Sequence, residues 1–223
     1  MKSLLVINSS ARITRSITRH LTSRFTESWL RRNPSGTVVH RDVGLNSPPA
    51  VNEAWIAAAF AQPGGEGTGV SGPLTLSDVL IDEIMQADAI VLGVPMYNFG
   101  MPAHLKAYVD QIVRVGRTFA FDAAAGDPYQ PLLASKPVVV ITSAGDGAIH
   151  PGGALAHMNH LEPHLETVFG FIGLTDITFV RVGYDEYQDG RLKRSLASAE
   201  NAVDQLVDQL TASECEAALC VTR

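Results

Sequence analysis

Three segments of this sequence gather residue types that grip a ligand. The first, Asn8-Ser9-Ser10-Ala11-Arg12-Ile13-Thr14-Arg15-Ser16-Ile17-Thr18, is rich in hydroxyls and runs into a helical pattern. A helix start offers unpaired N–H groups and the positive end of the helix dipole, both favourable to a phosphate. Ser10, Ser16 and Thr18 add side-chain donors. The same residues also read as plain turn chemistry, with Ser16 as a helix cap and Ser9 and Ser10 in the turn. The second segment, Pro95-Met96-Tyr97-Asn98-Phe99-Gly100-Met101-Pro102, loads a strand end with large apolar groups. Such groups can wall a flat aromatic ligand while Asn98 and the backbone supply polar contacts. Alternatively, Tyr97 and Phe99 pack beneath the helix that follows. The third segment, from Ser143, Ala144 and Gly145 through Gly147 and His150 to Gly153, has four glycines in eleven residues. That composition permits close backbone approach to a ligand, or a pliant surface loop.

The elements that must position these loops alternate strand with helix, the signature of an α/β fold. Leu4-Leu5-Val6-Ile7 is a short apolar run bounded by polar residues and predicts a strand buried on both faces. A helix follows from about Ser16, with Ile17, Leu21, Phe25 and Trp29 recurring every four residues. Thr37 to His40 predicts a second strand. Ser77 is a candidate N-cap for a helix carrying Val79, Leu80 and Ile84. Ala89 to Val94 predicts a third strand, Ala103 to Val113 an amphipathic helix, Val138 to Thr142 a fourth strand and Ile177 to Val182 a fifth. Leu192, Leu196, Ala199, Val203, Leu206 and Leu210 mark a closing helix. The expectation is one domain over residues 1–223: a five-stranded parallel sheet with helices on both faces and right-handed crossovers. Such sheets bind ligands at the carboxyl ends of the strands, near the point where strand order reverses. The three ligand-gripping segments follow the first, third and fourth strands. A phosphate cradle beside a slot for a planar heterocycle is the outline of FMN.

Other chemistries are less well supported. Gly67-Thr68-Gly69-Val70-Ser71-Gly72 has dinucleotide-fingerprint spacing, but it lies between Pro63 and Pro73 with no strand before it. There is no Gly-Lys-Ser/Thr of the nucleoside-triphosphate type. His157, His160 and His164 have helical spacing, yet no carboxylate completes a ligand motif, so a polar helix face or a dimer contact is the simpler reading. Cys215 and Cys220 fit a reduced pair. The net charge of −6, with no Lys/Arg-rich run, gives no footprint for nucleic acid. No apolar stretch approaches membrane length, and the start of the chain lacks a signal-peptide core, so a cytoplasmic protein is expected.

Taken together, Leu4 to Ser10, Val94-Pro95-Met96-Tyr97-Asn98-Phe99, Val140 to Gly145 and Gly170 to Asp176 resemble the FMN-dependent NADH-azoreductase family, which has quinone reductase activity and belongs to the flavodoxin-like superfamily. The resemblance implies a flavodoxin-like three-layer sandwich. It implies that Ser10, Ser16, Ile17 and Thr18 hold the FMN phosphate, that Met96, Tyr97, Asn98 and Phe99 contact the isoalloxazine, and that Ser143, Ala144, Gly145 and Gly147 line its polar edge. It implies NADH or NADPH as donor, a quinone or azo acceptor, ping-pong turnover at flavin N5, and a homodimer with active sites at the interface. Asn98, Phe99, Phe121, His150 and Phe171 are the implied substrate-pocket residues. No side-chain nucleophile is required; His150 is the candidate proton donor, or else an ordinary loop histidine. Two departures stand out. The family's Ser-x-Gly-Gly after the fourth strand is replaced by Gly145-Asp146-Gly147 with a short insertion, and position 121 is Phe where Tyr is common. A flavodoxin-type electron carrier is the competing reading.

Overall fold

A computed structural model describes residues 2–61 and 72–220, with side chains through residue 212. The dinucleotide-like glycine spacing and the side chains of Cys215 and Cys220 fall outside the described residues. In chain order the elements are β1 (Ser3–Asn8), α1 (Ile17–Arg32), β2 (Thr37–Asp42), α2 (Glu53–Ala59), α3 (Thr75–Gln86), β3 (Ala89–Pro95), α4 (Ala103–Ile112), β4 (Phe119–Phe121), β5 (Tyr129–Pro131), β6 (Val138–Ser143), α5 (Glu162–Ile172), β7 (Ile177–Val182) and α6 (Gly190–Cys220). The sheet order is β2-β1-β3-β6-β7, and every neighbouring pair is parallel. Chain order reverses between β1 and β3, which places a ligand crevice at their carboxyl ends.

Alternation along each strand builds two cores, one on each side of the sheet. Leu4, Val6, Val91, Val139 and Ile141 point toward Phe25 and Trp29 of α1 and Val203 and Val207 of α6. Leu5, Ile7, Leu92 and Val140 point toward Leu80 of α3, Leu105 of α4 and Leu165 of α5. Burying each such side chain contributes about 1.5–3 kcal/mol, so the sheet rather than any one helix anchors the crevice. On the outer surface α1 and α6 are seamed by His20–Glu200, Arg24–Asp204 and Arg32–Asp208. These pairs are half-exposed and contribute more to register than to stability.

The sequence pattern locates all five strands of the main sheet to within two residues, but it errs elsewhere. Ser77 is not an N-cap: α3 starts two residues earlier, and the buried Ser77 hydroxyl donates to the Gln111 carbonyl at 2.6 Å. The short α2 and the β4–β5 hairpin were not foreseen. The three histidines do not share a helix face. His157 lies in a 3-10 turn (Ala156–Met158), His160 in the connection after it, and only His164 in α5. Among the described residues no helix is long and apolar enough to cross a membrane.

Candidate functional site

The loop after β1 is braced before it meets any ligand. Ser9 is fully buried, and both its N–H and its hydroxyl donate to the Gly93 carbonyl, at 3.0 and 2.9 Å. The His104 Nε2 donates to the Ser9 carbonyl. Arg19 reaches back from the first turn of α1 and donates to the Ser10 carbonyl at 2.6 and 3.2 Å. The same guanidinium forks onto Asp42 at the end of β2, at 2.5 and 2.8 Å. Burial pulls the Asp42 carboxyl upward, but the Arg19 bonds and the Leu45 and Gly44 N–H groups outweigh it and hold Asp42 below the ordinary aspartate range. Gly44 is required here, because a Cβ would lie 2.3 Å from the Ser10 carbonyl oxygen.

Ser16 is indeed the N-cap of α1, its Oγ accepting from the Arg19 N–H at 3.3 Å. The His20 N–H is taken by the Ser16 carbonyl at 3.1 Å. That bond is the first of the helix ladder; of the four N–H groups before it, Ser16 to Arg19, only the Arg19 N–H is taken, so those of Ile17 and Thr18 remain for a ligand. Capping and ligand binding are thus compatible, and the two readings of this loop merge.

The loop after β3 is a tight turn. Tyr97 and Gly100 exchange both backbone hydrogen bonds, at 3.0 and 3.1 Å, with Asn98 and Phe99 between them at φ of +48° and +70°. Two successive left-handed residues form a type I′ turn. Asn tolerates that conformation; Phe does so only with strain, of the kind that collects at functional sites. The turn lifts Phe99 into solvent, where it is 47% exposed, instead of packing it beneath α4. The Tyr97 hydroxyl accepts from the Ala11 N–H at 3.3 Å and so links the first and second loops.

Two connected cavities open between these loops. One, of about 160 Å³, is walled by Ser10, Arg12, Arg15, Ser16 and Ile17 on one side and Tyr97 and Ser143 on the other. Hydroxyls and free helix N–H groups make it a cradle for a phosphate, with the exposed Arg12 and Arg15 at its rim. The second, of about 440 Å³, is walled by Asn98, Phe99, Asp146, Ile149, Leu155 and Met158. Met96, Ala144, Gly145 and Glu186 belong to both and form the passage between them. A phosphate end joined to an apolar slot with a few polar groups fits FMN.

The structure therefore brings Ser10, Ser16, Ile17, Met96, Tyr97, Asn98, Phe99, Ser143, Ala144 and Gly145 together. Thr18 is buried and offers its N–H rather than its side chain. Gly147 begins a 3-10 turn beneath the Tyr184 ring, outside both cavities. His150 also lies off both walls. Its ring sits against Gly183, with both ring nitrogens buried and without a hydrogen-bond partner. Burial pushes its pKa below the ordinary value of 6.5, so it is a neutral, enclosed ring. Phe121 and Phe171 join Phe119 and Tyr129 in a separate aromatic cluster at the β4–β5 hairpin and α5, with centroids 4.8–6.4 Å apart.

A family model described as a flavodoxin-like fold matches residues 2–207. The FMN-dependent NADH:quinone oxidoreductase of Opitutus terrae is 55% identical, covering 96% of this chain and 100% of its own length. The chain belongs to the FMN-dependent NADH:quinone oxidoreductase family. An FMN-dependent NADH:quinone oxidoreductase 2 of Colwellia psychrerythraea is 41% identical over 94% of this chain and 100% of its own. Among solved structures, an azoreductase of Bacillus anthracis superposes with a TM-score of 0.82 at 20% identity, over 94% of this chain and 100% of that one. An FMN-dependent NADH-azoreductase of the same species in complex with FMN gives 0.81 at 20%, over 95% and 100%. At that identity the two structures confirm the flavodoxin-like fold.

A fourth loop, the one after β7, carries no signal in the sequence pattern. Asp185 and Glu186 lie there, flanked by Tyr184 and Gln188 at φ of +72° and +49°. The Asp185 and Glu186 N–H groups donate to the Ala144 and Gly145 carbonyls, at 3.3 and 3.2 Å. A Cβ on Gly145 would lie 2.4 Å from the Glu186 carboxyl, so the glycine lets this side chain lie across the passage. The Tyr187 hydroxyl donates to Asp146 at 2.7 Å, and Arg191 stacks on Tyr187 at 3.8 Å from its ring centroid. The Ala148 N–H and Tyr187 hydroxyl bonds hold the Asp146 carboxyl below its ordinary range. Asp146 is thus part of the clasp that fixes this fourth loop. The findable signal was topological: the loop follows the last parallel strand at the same sheet edge.

Proposed function

We infer that the protein is an FMN-dependent oxidoreductase that takes electrons from NADH or NADPH and reduces quinones, with azo compounds as further acceptors. The observation that carries this reading is the passage at Met96, Ala144, Gly145 and Glu186, which joins a phosphate cradle to an apolar slot. The isoalloxazine of bound FMN supplies the hydride chemistry. The chain supplies position. The Ile17 and Thr18 N–H groups, with the Ser10 and Ser16 hydroxyls, hold the phosphate. Met96 and the Asn98-Phe99 turn hold the ring, and the Ala144-Gly145 backbone meets its polar edge. Phe99, Leu155 and Met158 keep water from the slot where donor and acceptor bind in turn. In the net reaction the nicotinamide gives up a hydride, and the quinone gains its two electrons and two protons, one of them from solvent. The reaction needs no side-chain nucleophile, and His150 lies off both cavity walls.

A homodimer is part of this proposal. Phe121 and Tyr129 are about half exposed at the β4–β5 hairpin and are not among the slot walls of their own chain. A substrate role for Phe121 and Phe171 requires a second copy.

Stopped-flow mixing of FMN-loaded protein with NADH, then with NADPH, tests the reading. Rapid flavin bleaching, reversed by a benzoquinone with parallel double-reciprocal lines, is expected. FMN binding without bleaching by either nucleotide replaces the reductase with a flavodoxin-type carrier.

A further inference from the structure

A third cleft, of about 760 Å³, lies on the outer side of the phosphate cradle. It shares Arg12, Arg15, Ile17, Asp185 and Glu186 with the cradle, so the two are continuous. Its own walls are Ile13, Thr14, Gln188, Leu192 and Leu196. Nothing in the flavin reading uses it. FMN ends at its phosphate, and this cleft begins there.

The chemistry of the walls is that of a nucleotide site. Ile13 is 68% exposed and lines the cleft with Leu192 and Leu196. Together the three give the cleft an apolar wall against which a planar base can pack. Arg15 is exposed and has no hydrogen-bond or ion-pair partner among the described residues. A guanidinium without a carboxylate is free to fork onto a phosphate. Arg12 is held by Asp185 at 3.2 Å in an exposed pair that opens at little cost. Asp185 and Glu186 supply acceptors for ribose hydroxyls. Cation, apolar wall and carboxylates together match an adenosine phosphate better than a quinone or a second flavin.

We propose that this cleft receives the adenosine diphosphate half of the nicotinamide donor while FMN fills the cradle. The proposal rests on the reductase reading above. Glu186 lines all three cavities and so sits where the dinucleotide passes from the outer cleft toward the slot.

The probe is 5′-ADP, titrated by calorimetry into FMN-loaded enzyme and tested as an inhibitor against NADH. The expected result is binding, competitive with NADH. Ile13→Asp, at an exposed residue outside the cradle, removes apolar wall and adds a like charge. It is expected to weaken ADP and raise the KM for NADH about tenfold. FMN affinity and flavin reduction by reduced nicotinamide mononucleotide, which lacks the adenosine, should not change. Arg15→Ala should weaken ADP about fivefold or more. Two results overturn the proposal. One is normal flavin bleaching by NADH with no ADP binding, which leaves the reductase reading intact. The other is apo-protein binding FAD more than tenfold tighter than FMN, an advantage lost in Ile13→Asp; that assigns the cleft to the flavin's adenylate. Absence of any bleaching by NADH or NADPH defeats the reductase reading itself, and is read separately.

Discussion

The two loops that flank the switch point of the sheet are built on opposite principles. The loop after β1 is tied down from all sides, by Gly93, His104, and Arg19 with its Asp42 anchor. The loop after β3 has one tight turn, two left-handed residues and an exposed aromatic ring. A phosphate is a small, fixed charge, and N–H groups aimed at it are effective only if they do not have to be reorganised on binding. The ring-slot wall keeps its strained residues in place with only a few ties, from the His160 N–H to the Phe99 carbonyl and from the Ala11 N–H to the Tyr97 hydroxyl. The difference teaches where affinity for the cofactor and tolerance toward acceptors reside. Breaking the brace should affect FMN binding, whereas relaxing the turn should affect turnover.

Gly44→Ala is the largest break. A Cβ there meets backbone, the Ser10 carbonyl oxygen at 2.3 Å, and backbone cannot swing aside as a side-chain tip can. FMN affinity is expected to fall about 100-fold, or ~2.8 kcal/mol, measured by flavin fluorescence on the folded apo-protein. An unchanged Kd would mean that the loop position does not govern phosphate binding.

Asp42→Ala comes next. Without its anchor the Arg19 fork loses two bonds, and the Ser10 carbonyl keeps a partner that is free to wander. FMN affinity should drop about tenfold and stability by about 1–2 kcal/mol. The pH dependence follows from the depressed carboxyl. Asp42 ionises at lower pH in the folded chain than in the unfolded one, where 3.8 is the ordinary value. Its contribution is therefore complete above pH 3.8 and is lost as pH falls through the lower folded value. In urea titrations at pH 6 and pH 3 the gap between wild type and D42A should narrow at the acid end. A constant gap would show that the brace acts without its charge.

Phe99→Gly reverses the logic on the other loop. It creates Asn-Gly, the sequence a type I′ turn prefers, and removes strain of about 1 kcal/mol. Thermal stability should rise by a few degrees, while kcat/KM for a benzoquinone falls about tenfold because the slot loses a wall. Gains in both would mean that the turn stores nothing for function.

How far the sequence revealed this arrangement depends on whether the causes are local. The apolar runs of β1, β3 and β6 were legible because burial on both faces leaves no polar residue inside them. Ser10, Ser16 and the Met96–Phe99 segment were legible because they sit immediately after such strands. The Arg19–Asp42 brace was not, since its partners are 23 residues apart and meet only when β2 lies beside β1. Glu186 was overlooked because an acidic residue in a polar loop carries no local signal; only the parallel pairing of β7 with β6 brings it over Gly145. His150 misled for the converse reason. A histidine in a glycine-rich loop after a strand suggests an active-site donor, but the 3-10 turn at Gly147–Ile149 rotates it inward against Gly183.

That inward histidine gives the smallest effect and separates the brace from the rest of the binding face. Its pKa is lowered by burial, so it stays neutral in the folded protein while the unfolded chain takes up a proton near pH 6.5. Folding stability is therefore unaffected well above pH 6.5 and declines as pH falls from there toward the folded value. His150→Leu removes both unpartnered ring nitrogens and should flatten the stability profile below pH 6.5, with a gain of about 1 kcal/mol at the acid end. Because the ring lies off both cavity walls, FMN affinity at pH 7.5 should match wild type, and so should the pH dependence of quinone reduction after correction for unfolded protein. A lost acid limb in kcat with stability unchanged would place the ring in proton delivery after all, through a movement of the Gly147–Ile149 turn.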